Sequence, residues 1–368
     1  MSTQTLYTPN RDELARQEFV LSLKLLANGR AQQRVRDSYR AEVLPAIAST
    51  QAAAPMHRRE VAAPLAQRNE FKLWAVLTHH SQTMMWDAIE RTVARVLSVV
   101  EQRYAALRSS SASCGSLTLN PNLAVPPPIG NTEIHRQPGG FVGRTDIEDV
   151  SPGLRYFGAS AIYAVGKGQK NATGDGRAAP LLNQLQERFG SLAPRRILDL
   201  GCGIGVHSQA IARAFPDAEY HGVDVAAGLL RVGHLMAEER GVPIHFHQQD
   251  AAKTSFESGS FDLVLSNILF HETNSARLPQ ILRECRRLLR PGGAMLHLDV
   301  PTQLTRLDFD DQVMNDWQVR WNGEPFWTGF AERDMLEEIV AAGFDRERSF
   351  ATHVSAHGNA VYIFGATA

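Results

Sequence analysis

Short apolar runs recur through the second half of the chain, and each ends near a glycine, an aspartate or an asparagine. Five predicted strands cover residues 197–200, 220–224, 244–249, 261–267 and 294–300, the third with apolar residues alternating with histidines, and a sixth apolar stretch covers residues 360–365. Runs of this length suit strands that are buried on both faces of a parallel sheet. Between some of these strands, apolar residues recur at helical spacing, over residues 206–215, 278–290 and 334–342. This alternation predicts an α/β fold.

Helical periodicity dominates the first part of the chain. Asn10 can cap a helix, with Glu13 three positions on, and that helix is predicted to reach about Val43, before Pro45. A longer helix is predicted over residues 65–107, because positions 86, 89, 93, 96, 97, 100, 104 and 107 are apolar and share one face. That face must be buried, and three arrangements stay open: packing on the rest of the chain, a homodimer interface, or a lid over a substrate.

A change of composition separates the helices from the α/β pattern. Serines crowd residues 109–113, and three prolines follow at 126–128. This composition resists regular structure and suits an exposed linker. The sequence therefore predicts an α-helical region over residues 1–109, a linker and docking segment over residues 110–150, and an α/β domain over residues 151–368.

Composition narrows the classes of partner. The chain has 368 residues, 43% of them hydrophobic, which is enough for two folded units with a sizeable core. The net charge is -1, so the chain lacks the excess positive charge that favours binding to nucleic acid or to an anionic membrane. A small molecule is the expected partner. No apolar run resembles a signal peptide or spans a bilayer, and a cytoplasmic location is expected.

The cysteines and two adjacent histidines offer no metal site at the level of sequence. Cys114, Cys202 and Cys285 are odd in number and have no C-x-x-C spacing, which disfavours both a disulfide framework and a zinc site. His79 and His80 point about 100 degrees apart on a helix and are poorly placed to share one ion. No metal is predicted.

The most informative motif follows the first predicted strand. Gly201, Gly203 and Gly205 lack a Cβ, so the chain can turn sharply there and approach a ligand closely. The helix that begins at Val206 would then aim its free N–H groups at that ligand. Asp224 ends the next strand, about 20 residues on, where a carboxylate can accept hydrogen bonds from ribose hydroxyls. The dinucleotide pattern G-x-G-x-x-G fails because position 206 is valine, which makes an NAD enzyme a poor second choice.

The order of motifs resembles that of class I S-adenosylmethionine (SAM)-dependent methyltransferases. DLGCGIG, GVDV, an aspartate after the third strand, FDLVLSNILFHE and LLRPGG follow one another, and the resemblance covers about 200 of the 368 residues. It implies a Rossmann-like, seven-stranded sheet flanked by helices, with the helical N-terminal region as an extension and SAM as cofactor. The cofactor-binding residues that it implies are Asp199, Gly201, Cys202, Gly203, Gly205, Asp224, Val225, Asp250, Ala251 and Asn267.

The resemblance also assigns parts of the cofactor to these positions. Asp199 and the backbone of the glycine turn would hold its amino-acid end, and Asp224 would hold the ribose. Asp250 with Ala251 would contact the adenine, and Asn267 would lie close to the methionine moiety. Tyr156 and Tyr163, ahead of the first strand, either close over the cofactor or pack in the core.

Residues after the fourth and fifth strands are candidates for the methyl acceptor. His271 lies at the carboxyl edge of the sheet, and an ordinary imidazole pKa near 6.5 suits proton removal from a hydroxyl. Glu272 is expected to orient His271 or to contact the substrate. Three tryptophans after the fifth strand, Trp317, Trp321 and Trp327, either form aromatic walls around an apolar substrate or pack within this segment.

These observations favour methyl transfer from SAM to a small molecule, with oxygen as the expected acceptor atom if His271 is a base, and with carbon and nitrogen acceptors left open. Two other interpretations stay open. The chain could be a SAM-binding scaffold or regulator without catalysis, or it could methylate a protein or a nucleic acid. A homodimer through the N-terminal helices is also open.

Overall fold

One mostly parallel sheet of eight strands organises the protein. The structure is a computed structural model and describes residues 6–50, 57–143, 148–166, 174–301, 307–356 and 359–368. The strands are β1 (Ser116–Thr118), β2 (Arg196–Leu200), β3 (Glu219–Asp224), β4 (His245–Gln248), β5 (Phe261–Asn267), β6 (Leu289–Asp299), β7 (Ser349–Ala356) and β8 (Asn359–Thr367). Their spatial order is β1-β4-β3-β2-β5-β6-β8-β7. Strands β1 to β6 all pair in parallel with their neighbours among these six. Strand β8 pairs antiparallel with both β6 and β7.

The sheet confirms the predicted α/β class and adds two strands that the apolar pattern did not single out. β7 lies at one edge, against β8. At the other edge β1 pairs with β4, although its residues fall in the segment predicted as a linker. A Cβ at Gly115 would lie 2.2 Å from the carbonyl oxygen of Ile244, so only glycine lets this segment approach β4. The expectation of an exposed linker is therefore wrong at β1, and the sheet has eight strands instead of seven.

Fourteen α-helices surround the sheet or precede it in the described part of the chain. They are α1 (Arg11–Leu26), α2 (Gln32–Ser38), α3 (Leu44–Thr50), α4 (Arg58–Ala66), α5 (Asn69–Arg108), α6 (Pro127–Gly130), α7 (Ser151–Gly166), α8 (Gly174–Phe189), α9 (Val206–Ala214), α10 (Ala227–Glu239), α11 (Leu278–Leu288), α12 (Phe309–Trp321), α13 (Trp327–Ala331) and α14 (Met335–Ala341). None of the helices in these ranges combines the length and the apolar character that crossing a bilayer requires.

The first helical stretch begins as predicted and ends later. Asn10 Oδ1 accepts a hydrogen bond from the Glu13 backbone N–H at 2.9 Å, and the Glu13 carboxylate accepts one from the Asn10 N–H, which is a capping box. The helix was predicted to stop before Pro45, but α3 carries it to Thr50. A π-helical turn, Tyr39–Val43, directly precedes α3, so proline falls in the first turn of a new helix, where its missing N–H costs little.

The apolar face of α5 packs against the rest of this chain. The buried side chains on this face include Met85, Trp86, Ile89 and Val93. They pack against Leu154 of α7 and against buried residues of α10. Farther towards its N-terminus, the buried Trp74 meets Trp317 of α12 edge to face, with 5.0 Å between ring centroids. Of the three arrangements left open by the sequence, the structure therefore shows the first.

Candidate active site

The glycine turn after β2 has the backbone conformation that its sequence predicts. Gly201, Gly203 and Gly205 have φ values of 67°, 56° and 66°, a left-handed region that favours glycine. A Cβ on Gly201 would lie 2.6 Å from Leu269, and Tyr156 lies beside Gly203. Cys202 is buried below the turn, and burial raises the pKa of its thiol well above the ordinary value. The turn is largely buried, and its only thiol stays protonated, so it offers a ligand no reactive side chain.

Asp199 is the buried carboxylate at the end of β2. Its side chain is fully inaccessible, and Oδ2 accepts hydrogen bonds from Ser208 Oγ at 2.5 Å and Tyr220 Oη at 3.1 Å. Its Oδ1 has no hydrogen-bond partner among the described residues. An unpaired buried carboxylate oxygen is costly unless a donor reaches it. Beside the glycine turn, this oxygen fits the ammonium group of an amino-acid ligand.

Asp224 ends β3 opposite the same turn. Its carboxylate accepts hydrogen bonds from the N–H groups of Gly203, at 3.0 Å, and Ala226, at 2.9 Å. Burial raises the pKa of Asp224 to about 6, against the opposing effect of these hydrogen bonds, and the charge of Asp199 adds to the increase. The structure thus brings Asp199, the glycines and Asp224 together at one edge of the sheet.

The residues predicted to contact adenine lie farther along this edge, with partners of their own. Asp250 accepts a hydrogen bond from the Ala252 N–H at 2.9 Å and pairs with the Arg277 guanidinium. Ala251 packs against the core beneath it. The Val225 carbonyl accepts a hydrogen bond from Gln248 Nε2, which fixes the loop between β3 and α10.

The loop after β5 carries the predicted acceptor-side residues. Asn267 is the last residue of β5, and Ile268 follows with φ of 63°, an unfavourable value for a β-branched side chain. His271 is buried and its Nδ1 lies 2.6 Å from Asp299 Oδ1, at the end of β6. Its Nε2 lies 3.1 Å from Glu272 Oε1. Parallel strands β5 and β6 end side by side, which places these groups together.

Two residues that sequence analysis did not assign complete a cluster with this pair. His135 Nε2 lies 2.6 Å from Glu272 Oε1, and His135 Nδ1 lies 2.8 Å from Glu324 Oε1. Burial would lower the pKa of His135, but the carboxylates of Glu272 and Glu324 outweigh it and raise the pKa well above the ordinary value. The two imidazoles in turn hold the pKa of the Glu272 carboxyl far below its usual range, against the effect of burial.

The predicted role of His271 as a general base does not fit this arrangement. Burial would lower its pKa, yet Asp299 and Glu272 together raise it to about 10. Both ring nitrogens face carboxylates, so the ring keeps its proton and offers no lone pair to a substrate hydroxyl. Glu272, by contrast, contacts the His271 ring, as expected of an orienting group.

His135 is held in place by the N-terminal helices and by the segment after β6. Its backbone carbonyl accepts hydrogen bonds from Gln82 Nε2 at 2.6 Å and from Trp86 Nε1 at 2.8 Å, both on α5. Its N–H donates to the Gly323 carbonyl at 2.6 Å. His135 and Arg136 both have positive φ, a strained conformation that such contacts must maintain.

Only one of the three predicted substrate-contacting tryptophans lies at this cluster. The Trp327 ring centroid is 6.3 Å from that of His271. Trp317 instead packs on Trp74, and Trp321 is 53% exposed, with the Arg320 guanidinium over its ring. The expectation of three aromatic walls is therefore wrong for Trp317 and Trp321, because α12 turns these side chains towards the N-terminal helices and towards solvent.

Comparison with known proteins agrees with the geometry of the glycine turn. A family model described as "Methyltransferase domain" matches residues 197–293. The chain is 38% identical over 109 residues to demethylmenaquinone methyltransferase of Thermus thermophilus, which covers 30% of this chain and 49% of that protein. It is 32% identical over 160 residues to the malonyl-acyl-carrier-protein O-methyltransferase of Methylococcus capsulatus, which covers 42% of this chain and 54% of that protein.

Among solved structures, the phosphoethanolamine N-methyltransferase 2 of Haemonchus contortus in complex with S-adenosyl-L-methionine aligns with a TM-score of 0.39 at 16% identity. That alignment covers 50% of this chain and 52% of that chain. The chain spans about half the length of the curated relatives named above. The matched residues 197–293 contain the glycine turn, Asp224 and His271. The family model and the relatives therefore identify a methyltransferase domain over residues 197–293, and the chain is similar to methyltransferases through this domain.

Proposed function

We propose that this protein transfers a methyl group from SAM to an oxygen atom of a small molecule. The observation that carries the proposal is the arrangement at the ends of β2 and β3. An unpaired, buried Asp199 Oδ1, a turn of three left-handed glycines and the Asp224 carboxylate lie at one edge of the sheet. Ligands of open α/β sheets bind at the carboxyl ends of the strands, where these groups lie.

The described residues fit SAM at both of its polar ends. Asp199 Oδ1 can accept a hydrogen bond from the ammonium group, and the Asp224 carboxylate can accept hydrogen bonds from the ribose hydroxyls. Gly201 and Gly203 allow the tight turn beside the ligand, because both have positive φ and a Cβ on Gly201 would lie 2.6 Å from Leu269. When bound, SAM supplies an electrophilic methyl group on a positively charged sulfur.

The cluster at the ends of β5 and β6 supports the choice of a small acceptor. His135, His271, Glu272 and Glu324 converge there on partly or fully buried positions, with Trp327 beside them. Polar side chains converging at this edge of the sheet can contact a compact polar ligand and align it, which is most of what an in-line displacement requires. Oxygen as acceptor agrees with the O-methyltransferase of Methylococcus capsulatus, to which this chain is similar.

Calorimetric titration tests the cofactor without knowledge of the acceptor. We expect the purified full chain to bind S-adenosylhomocysteine (SAH) and SAM, and to show no heat of binding with NAD. Transfer of labelled methyl to a panel of phenols, hydroxy acids and amines would then identify the acceptor class. Folded protein that binds neither sulfur compound would overturn the proposal, and transfer to amines alone would overturn the choice of oxygen.

SAH affinity is expected to fall in mild acid. The pKa of Asp224 is raised to about 6, so its carboxylate is ionised at pH 7 and largely protonated at pH 5. Protonation removes the acceptor that the ribose hydroxyls need, and the dissociation constant should rise about tenfold over this interval. Titrations at both pH values measure the change. Asp224→Asn should bind weakly with little dependence on pH; an unchanged slope in this variant would assign the effect to another group.

A further inference from the structure

We propose that His135, His271, Glu272 and Glu324 form a binding site for a divalent transition-metal ion on the acceptor side of the active site. One ligand atom from each of these four side chains lies within 4.8 Å of the others. The sequence predicted no metal site, because these ligands come from three separate segments. The proposal deepens the proposed function, since it names what holds the methyl acceptor.

The histidine geometry is that of metal ligands with outer-shell support. His271 Nδ1 is held by Asp299 at 2.6 Å, which leaves Nε2 directed at Glu272. Asp299 is fully buried and also accepts a hydrogen bond from the Phe270 N–H at 2.7 Å, so its own position is fixed. A ligating histidine almost always gives its second ring nitrogen to a carboxylate or carbonyl, which sets its tautomer and orientation.

His135 also has a carboxylate beside each of its ring nitrogens. One ring nitrogen meets Glu272 and the other meets Glu324, at 2.6 and 2.8 Å. One of these carboxylates can therefore share the ion with His135 while the other orients the ring. The side chains of Glu272 and Glu324 are each only 13% exposed, and that of His271 is 4% exposed.

Charge and ligand type point to the class of ion. Three buried or nearly buried carboxylates, Glu272, Glu324 and Asp299, face two imidazoles, and the Lys24 ammonium interacts with Glu324 from the N-terminal helices. A dication supplies two positive charges at the centre of this group and leaves both rings neutral. Two imidazoles with carboxylates suit Zn²⁺, Fe²⁺, Mn²⁺ or Co²⁺, whereas Mg²⁺ and Ca²⁺ prefer sites made of oxygen alone.

An ion here would also supply what His271 cannot. A metal acts as a Lewis acid towards a bound hydroxyl and lowers its pKa, so no side-chain base with a free lone pair is needed. The acceptor hydroxyl loses its proton to solvent, its oxygen forms a bond to the methyl carbon, and the carbon–sulfur bond breaks. The electron pair stays on sulfur, and the products are the methyl ether, SAH and one proton.

Binding of Co²⁺ to chelator-treated, full-length protein tests the site directly. Tetrahedral or five-coordinate Co²⁺ absorbs visible light, so ligation is observed without turnover, and titration with Zn²⁺ by calorimetry gives the stoichiometry. We expect one ion per chain. His135→Ala and Glu272→Gln should each weaken Zn²⁺ binding about 100-fold, and the positioning variant Asp299→Asn should weaken it about tenfold or more. His80→Ala changes an exposed histidine of α5 and should leave binding unchanged.

Two outcomes would overturn the metal site. The first is that neither ion binds to folded wild-type protein. The second is that the double variant His135→Ala, Glu272→Gln binds as wild type while circular dichroism shows an intact fold. SAH titration of the metal-free protein separates this result from the proposed function: SAH binding without metal binding rejects the metal site alone, and metal binding without SAH binding rejects the SAM site alone.

Discussion

Asp224→Ala is expected to weaken SAH binding at least about 100-fold at neutral pH, because two hydrogen bonds from ribose hydroxyls to a carboxylate are worth about 3 kcal/mol or more together. The substitution also releases the N–H groups of Gly203 and Ala226, which Asp224 holds at 3.0 and 2.9 Å. The turn should therefore loosen as well. Calorimetric titration of the variant at pH 7.5, alongside wild type, measures the loss.

Asp217→Ala is the matched control for this experiment. Asp217 carries the same charge and is exposed in the connection between α9 and β3. It should bind SAH like wild type, which would show that the effect of Asp224 is local and does not follow from net charge. Equal affinities for wild type and Asp224→Ala would place the ribose elsewhere and would contradict the cofactor geometry proposed above.

Trp74→Ala is expected to lower the free energy of unfolding by about 3 to 5 kcal/mol, the range for truncation of a large buried aromatic. Trp74 is 2% exposed and meets Trp317 edge to face and Phe71 at 5.4 Å. It joins the N-terminal helices to α12, so the cavity would open inside the cluster that these two segments share. Urea titration followed by circular dichroism gives the change.

Leu73→Ala supplies the comparison at the neighbouring position. Leu73 is 47% exposed, about 100° around α5 from Trp74, and its truncation should change the free energy of unfolding by no more than about 0.5 kcal/mol. If both variants shift the urea midpoint equally, truncating any apolar side chain of α5 destabilises the protein to a similar extent. The packing of Trp74 on Trp317 would then have no special weight.

The cofactor half of the site could be predicted from sequence because its residues are local. Asp199 and the three glycines fall within seven positions, and Asp224 ends the next strand. A strand, a turn and a helix in succession determine their relative positions almost without reference to the rest of the fold. The apolar periodicity of α5 and the capping box at Asn10 belong to the same category, since each depends on residues three or four apart.

The acceptor half could not be predicted, because tertiary packing alone assembles it. His135 is 137 positions from Glu272 and 189 positions from Glu324. The available signals were weak: a histidine shortly before Pro138 and two glycines, and a glutamate between Trp321 and Phe326. The same limitation explains β1, whose three residues join the sheet through the close approach of Gly115 to β4.

The hydrogen bonds from Gln82 and Trp86 to the His135 carbonyl link one half of the candidate site to the N-terminal helices. In the proposed function, donor recognition would be contained in a continuous stretch of the α/β domain, whereas acceptor recognition would be shared with a helix that begins more than a hundred positions earlier. Substitutions on α5 can therefore move His135 and alter the choice of acceptor while the SAM contacts stay untouched. A library confined to this helix face would explore new substrates at little cost to cofactor affinity.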